Sequence, residues 1–309
     1  MFRNVWYVVL VTCLFISLGA FAQDADNDKS GATAHSDIAS TPAVNNSTNG
    51  SYIATNTSNN FTESSPNATN ESNNPATPKR QIILQNFFMP SPHGYDGQSA
   101  DVELLRLYLP FKFLGVENIF RVYQPIETTP LLPEGRTAGF GDTEVYDLVL
   151  HRRNKFTIGA GPLLILPVAS HNNLGAGKWQ AGAAGMVVME KSWGIVGAII
   201  SYQHSFSGYG SDRPTTRLVS VQPIVHYNFN KGYYLRSSGI WNLNNGSHAS
   251  EIPIGFGAGK VWTLPGGTVM NIYVGPQYSV YRTGTGAPIW QVLSAVTFQF
   301  PVRAKRSLP

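Results

Sequence analysis

From Gln81 onward, apolar and polar side chains alternate with a period of two. In 217–229 one row is Val219, Val221, Pro223, Val225, Tyr227 and Phe229, and the other is Ser220, Gln222, Ile224, His226 and Asn228. In 290–300, Trp290, Val292, Val296, Phe298 and Phe300 oppose Gln291, Thr297 and Gln299; in 155–166, Phe156, Ile158, Leu164 and Leu166 oppose Lys155, Thr157, Gly159 and Gly161. Successive side chains of a strand point to opposite faces, so each segment reads as a strand that is apolar on one face only. About twelve such strands are predicted, over 81–88, 101–109, 117–124, 141–151, 155–166, 178–190, 193–204, 217–229, 233–243, 251–262, 268–278 and 290–300. The connections alternate in length. Short ones fall at 152–155, 191–192, 230–232 and 265–267, long ones at 125–140, 167–177, 205–216, 244–250 and 279–289. An up-and-down barrel of the bacterial outer membrane has that asymmetry, with tight periplasmic turns and longer outer loops. A soluble sandwich has no reason to keep it. Most of the segments are long enough to cross a bilayer at a tilt, and aromatics gather near their ends (Trp179, Trp193, Tyr233, Trp241, Trp262, Tyr278, Trp290). The predicted fold is all-β: a transmembrane antiparallel up-and-down β-barrel over 81–300, with lipid on the apolar row and a lumen on the polar row.

Composition supports this and trims the alternatives. Charged residues make up 13% and hydrophobic residues 42% of the 309, and mean hydropathy is near zero. That mixture fits neither a bundle of apolar helices nor a charged soluble enzyme, because the apolar residues are diluted to every second position. Residues 1–22 read as a signal peptide, with Arg3 before an apolar stretch and Ala20-Phe21-Ala22 as the cleavage site. The single cysteine, Cys13, lies inside it, so the exported chain has neither disulfides nor Cys-based metal or nucleophile chemistry. Residues 23–80 are rich in Ser, Thr, Asn, Ala, Asp and Pro and are expected to form a disordered linker on the periplasmic side. Sequons such as those at Asn46, Asn56, Asn60, Asn67 and Asn70 follow from that composition. Residues 301–309 form a tail behind Val296, Phe298 and Phe300, a terminal strand resembling the one read by the barrel assembly machinery. The net charge of +4 is scattered or sits at turns, with no basic stripe interleaved with aromatics, so nucleic acid is not an expected partner.

Candidate chemistry is sparse. Leu174-Gly175-Ala176-Gly177-Lys178-Trp179 contains a Gly-Lys step, but Asn172 stands where a phosphate loop needs Gly and Trp179 where it needs Ser or Thr. Gly255, Gly257 and Gly259 share one row, where small residues let backbone or a plug approach the wall. His204 and the serines at 205 and 207 are spaced so that they fall on opposite faces, against a lipid-hydrolase dyad. His151, His171, His226 and His248 show no metal-ligand pairing, and no cofactor is expected. Arg106, Arg121 and Arg236 fall on polar rows, and Asp147 and Glu190 can be placed there too. A narrow barrel needs such charges to pair across its lumen, and they would also set selectivity.

Several motifs resemble one family. Gly139-Phe140-Gly141-Asp142-Thr143 is followed by Gly159-Ala160-Gly161-Pro162, then Pro167-Val168-Ala169-Ser170 and Gly177-Lys178-Trp179-Gln180-Ala181-Gly182, and later by Val221-Gln222-Pro223 and Ile252–Lys260. Over 81–300 this is similar to the outer-membrane family named for the meta-cleavage pathway of phenol degradation. The resemblance implies a β-barrel of Gram-negative bacteria with a role in passing small, often aromatic or apolar, molecules. It carries over no catalytic residues. Gly141, Asp142, Gly161, Pro162, Gly177, Lys178 and Trp179 are the positions that match, with folding and loop anchoring as their expected work. Twelve strands lie between a filled barrel and a wide pore, so the expected function is a narrow channel, with 125–140 as a candidate constriction. The alternatives are a surface-interaction barrel without transport and, behind it, a barrel lipid hydrolase. The expected partners are outer-membrane lipid, the assembly machinery and a small-molecule solute.

Overall fold

The computed structural model describes residues 62–131, 135–208, 213–237, 239–246 and 249–301. Within them, twelve strands cross the molecule: β1 (Arg80–Met89), β2 (Ala100–Phe113), β3 (Val116–Pro130), β4 (Thr143–Arg153), β5 (Phe156–Leu166), β6 (Lys178–Lys191), β7 (Gly194–Gly208), β8 (Arg217–Asn228), β9 (Tyr233–Ser237 and Trp241–Asn244), β10 (Ser250–Gly255 and Gly257–Thr263), β11 (Val269–Thr283) and β12 (Trp290–Phe300). Each pairs antiparallel with the next. β12 returns to β1 in register from Val292↔Phe88 to Phe300↔Arg80, so the sheet is closed. Closure is what a wall facing hydrocarbon needs, since lipid cannot satisfy the N–H and C=O groups of a free edge.

The two rows separate as the alternation predicts. Val149, Ile158, Val196, Val225, Val274 and Val292 stand half-exposed on the outside, while Gln81, Gln85, Gln180, Gln203, Gln277, Gln291 and Gln299 are buried inside. The buried amides are paired across strands. Gln203 Nε2 donates to Gln180 Oε1 at 3.0 Å, and Gln291 Nε2 to Gln277 Oε1 at 2.6 Å. At the short-turn end Trp193 stacks on Tyr227, and Lys260 sits 4.2 Å above the Tyr233 ring. At the long-loop end Tyr278 packs on Trp290. These are amphipathic rings at the two levels where an interface would lie. The glycines of β10 serve packing. A Cβ on Gly259 would overlap the Tyr234 ring and one on Gly257 would meet Tyr273 Oη at 2.5 Å, so both tyrosines lie flat on the inner wall.

Two expectations are corrected. Residues 62–80 are not a disordered linker. Thr62 and Glu63 pair with Thr263 and Trp262 at the end of β10. Helix α1 (Pro66–Asn73) follows, with Pro66 in its first turn and the Ser65 hydroxyl accepting from Ala68 N. Thr69, Ser72, Asn73, Asn74, Ala76 and Thr77 are buried inside the barrel mouth. The segment has too little apolar surface to form a core of its own. It orders because the lumen supplies polar partners at fixed positions. The predicted signal peptide, residues 23–61 and residues 302–309 lie outside the described residues. The second correction concerns 125–140. Here β3 runs on to Pro130 and pairs with a short strand, Arg136–Phe140, so the connection is a protruding hairpin.

Candidate functional site in the barrel lumen

The lumen is divided at one level by arginines and tyrosines from β2, β3 and β4. Arg106 and Tyr108 alternate along β2, and Arg121 and Tyr123 along β3, so each pair shares the inner face. Tyr123 Oη lies 2.9 Å from Tyr108 Oη and 2.5 Å from Tyr146 Oη. Arg121 is fully buried. Its Nη1 donates to Tyr146 Oη at 3.0 Å, and its guanidinium carbon lies 4.3 Å from the centre of the Tyr108 ring. Arg106 lies 4.5 Å over the Tyr123 ring. Buried guanidiniums are thus held by phenol oxygens and aromatic faces rather than by carboxylates.

Toward the long loops, a cavity of about 390 Å³ is lined by Arg106, Tyr123, Glu127, Asp142, Glu144 and Gln180 together with the apolar Leu104, Leu163, Ile165, Ile199, Leu218 and Ile240, and is covered by Leu174, Gly175 and Ala176. Toward the short turns, a cavity of about 70 Å³ lies against the tip of α1. Arg106, Ile199 and Gln222 line both, so the two follow one another along the lumen.

Residues 64–79 cross the mouth at the short-turn end. Asn70 Nδ2 donates to Lys191 O at 2.9 Å and Asn74 Nδ2 to Glu190 Oε1 at 2.6 Å. Asn271 Nδ2 donates to Asn73 Oδ1 at 2.9 Å, and Gln299 Nε2 to Ser72 O at 2.9 Å. Arg121 Nη2 donates to Pro75 O at 2.5 Å, and Arg152 Nη2 donates to Ala76 O. With Asn228 on Asn70 Oδ1 and Ser64 on Thr263, the segment is bonded to β3, β4, β6, β8, β10, β11 and β12.

Of the charges predicted to be lumenal, the structure places Arg106, Arg121, Glu190 and Arg236 inside. Arg106 and Arg121 belong to the tyrosine level, Glu190 is held by the plug, and Arg236 lies 4.8 Å over the Tyr273 ring. Asp147 is a correction. Its neighbours Tyr146 and Leu148 are buried on the inner row, so Asp147 falls on the outer row, opposite Phe120. Strand β4 has large side chains on both rows, which hid its register from the alternation rule. Tyr108, Tyr123 and Tyr146 were missed, although the repeated Arg-x-Tyr of Arg106/Tyr108 and Arg121/Tyr123 was visible in the sequence.

Of the family-like positions, Gly141, Asp142, Gly177 and Lys178 gather around the loop 167–177, while Gly161 and Pro162 sit within β5. Asp142 Oδ1 accepts from Ala169 N at 3.2 Å and its Oδ2 from Ala176 N at 2.7 Å. A Cβ on Gly141 would meet Glu127 Oε1 at 2.6 Å, and one on Gly161 would run into the Asp147 carbonyl oxygen. Pro162 follows opposite Ala183. Gly177 has φ +64° and lies against Arg213, whose carbonyl accepts from Lys178 Nζ at 2.6 Å. Trp179 is outward beside an irregularity in the β6–β7 register. The cover of the lumen is therefore this anchored loop, with the predicted constriction contributing only its base, Pro125 and Glu127. Ser205 is buried and His204 points the other way, so no dyad forms there. Among the described residues no group of three metal-ligating side chains occurs, and His248 lies outside them.

No family model matches the chain, and no curated protein matches it in sequence. Among solved structures it is similar to an outer membrane channel from Pseudomonas putida F1. The TM-score is 0.56 at 14% identity, covering 74% of this chain and 99% of that one. At that identity the likeness is one of fold, a β-barrel. The name of the phenol-degradation family has no sequence match behind it.

Proposed function

We propose that this chain is an outer-membrane channel for small molecules, closed at its periplasmic end by its own residues 64–79. The observation that carries the reading is the lumen itself. A cavity with both polar and apolar lining extends inward from beneath the 167–177 loop, and the only segment crossing its far end among the described residues is the N-terminal plug.

The plug is suited to reversible movement. Its one fully buried apolar side chain is Ala76, with Ala68 and Pro75 partly buried; its other buried side chains are Asn, Ser and Thr. When it leaves, its hydrogen bonds are exchanged for bonds to water; a neutral one contributes only about 1 kcal/mol net, and the three with Arg121, Arg152 and Glu190 about 1.5–3 kcal/mol each. An apolar plug would have to expose its surface instead. The lining also shapes the cargo. Inward glutamines and the Arg106–Arg121 level offer polar contacts, while Leu104, Leu163, Ile165, Leu218 and Ile240 offer apolar ones, so the lining favours a small cargo, aromatic ones included, that carries both an apolar body and a polar or ionised group. The Gram-negative outer membrane follows as the location, with the short turns assigned to the periplasm.

The test uses the absence of cysteine after Cys13. Ser64 Oγ and Thr263 Oγ1 lie 3.2 Å apart. In a Ser64→Cys/Thr263→Cys variant the disulfide fixes one end of the plug while β1 fixes the other. Planar-bilayer recordings should show conductance under reducing conditions and its loss on oxidation. Equal conductance in both states would remove the gate, and no conductance in either, or in the wild type, would remove the channel.

A further inference from the structure

The small cavity between α1 and the wall has an unusual lining. It holds the guanidinium-bearing Arg106 and Arg236 and the imidazole of His226, and no Asp or Glu. Its volume of about 70 Å³ accommodates one small oxyanion with water. Three side chains on it are at least nine-tenths buried: Arg106 at 6%, His226 at 3% and Asn73 at 9% exposure. Each keeps a hydrogen-bonding atom without a partner among the described residues, namely Arg106 Nε, both ring nitrogens of His226 and Asn73 Nδ2.

The direction of the Asn73 amide is set by a chain of bonds. Tyr234 Oη donates to Asn271 Oδ1 at 2.6 Å, and Asn271 Nδ2 donates to Asn73 Oδ1 at 2.9 Å. That leaves the Asn73 NH₂ as the donor to spend. Buried donors are costly to leave unmade, and these come from β2, β8 and the plug onto one space with positive charge around it. Ionised oxygens are the acceptors that guanidinium and amide donors bind most strongly.

We infer that this cavity binds a small oxyanion, a carboxylate or a phosphate group, and that it does so only while the plug is seated, because Asn73 belongs to the plug. A ligand that binds one state stabilises that state. The bound oxyanion is therefore a latch, and the solute environment of the periplasm sets how often the lumen opens. The coupling to gating rests on the channel reading above; the binding itself does not.

Isothermal titration of the full chain in detergent, at constant ionic strength, tests the site with sodium phosphate and with sodium acetate as separate arms. Saturable binding of either is expected, and the arm that binds names the source. Binding should be lost in Asn73→Ala, which leaves the barrel wall untouched, and in Arg106→Gln provided that variant keeps the folded mobility on unheated gels. Saturable heat from neither anion overturns the inference, as does binding that survives in Asn73→Ala. In bilayers, the anion at ten times its Kd should raise the closed-to-open ratio about tenfold. If the cysteine lock leaves conduction unchanged while Asn73→Ala abolishes binding, the gate fails and the site stands. If the lock works and neither anion binds, the site fails and the gate stands.

Discussion

Asp147 shows how much a single residue can say about its surroundings. It sits on a wall otherwise made of residues such as Val149, Ile158 and Val196, and its Oδ1 is buried with no hydrogen-bond partner among the described residues. A carboxyl group held against hydrocarbon is unfavourable, by less than an Arg or Lys at the same depth but still by about 1 kcal/mol. Asp147→Val should therefore raise the midpoint of thermal unfolding, followed by gel mobility or circular dichroism in one detergent. A lowered midpoint would mean that the carboxylate has a polar partner and that the outer row has been misassigned. Arg121 is the opposite case. It is wholly enclosed, more so than Asp147, yet three tyrosines and the Pro75 carbonyl surround its guanidinium, so its burial is tolerated.

At the scale of elements, the loop 167–177 is the part whose order depends on one carboxylate. Asp142 accepts from two of its amides, Ala169 and Ala176, and Gly175 lies so close to that carboxylate that a Cβ would clash with it. Hydrogen bonds to a charged group are each worth about 1.5–3 kcal/mol. Asp142→Ala should release the loop while leaving the strands paired. Limited proteolysis should cut within 167–177, current noise should rise, and unheated gels should still show a folded barrel. Resistance to the protease equal to that of the wild type would show that Lys178 and Arg213 anchor the loop without Asp142.

At the scale of the whole molecule, the barrel and its plug are separate in origin and in energetics. β12 closes on β1 without any contribution from residues 64–77. Deleting 64–77 should therefore leave a folded barrel that runs as such on unheated gels. It should melt somewhat lower, because Arg121 and Arg152 lose carbonyl acceptors, and it should conduct without closures. A deletion variant that fails to fold would make the plug a structural strut, and one that folds but does not conduct would place the block elsewhere in the lumen.

The architecture was legible along the chain because its cause is local. Side chains alternate by strand geometry, so the rows around Val219–Phe229 and Trp290–Phe300 declare both strand and surface, and the alternation of short and long connections declares an up-and-down order. The candidate charges at Arg106, Arg121, Glu190 and Arg236 were legible for the same reason. Asp147 was not, since β4 carries large side chains on both rows and periodicity alone cannot choose between them. Nor was the plug. Residues 64–79 have no pattern of their own, and their order comes from amide, carbonyl, guanidinium and hydroxyl groups on seven strands that closure brings to one mouth. What the chain determined by itself was which residues form the wall and which row meets lipid. What only the folded barrel decided was what occupies the lumen, because polar groups far apart in sequence can satisfy one another only after the sheet has closed around them.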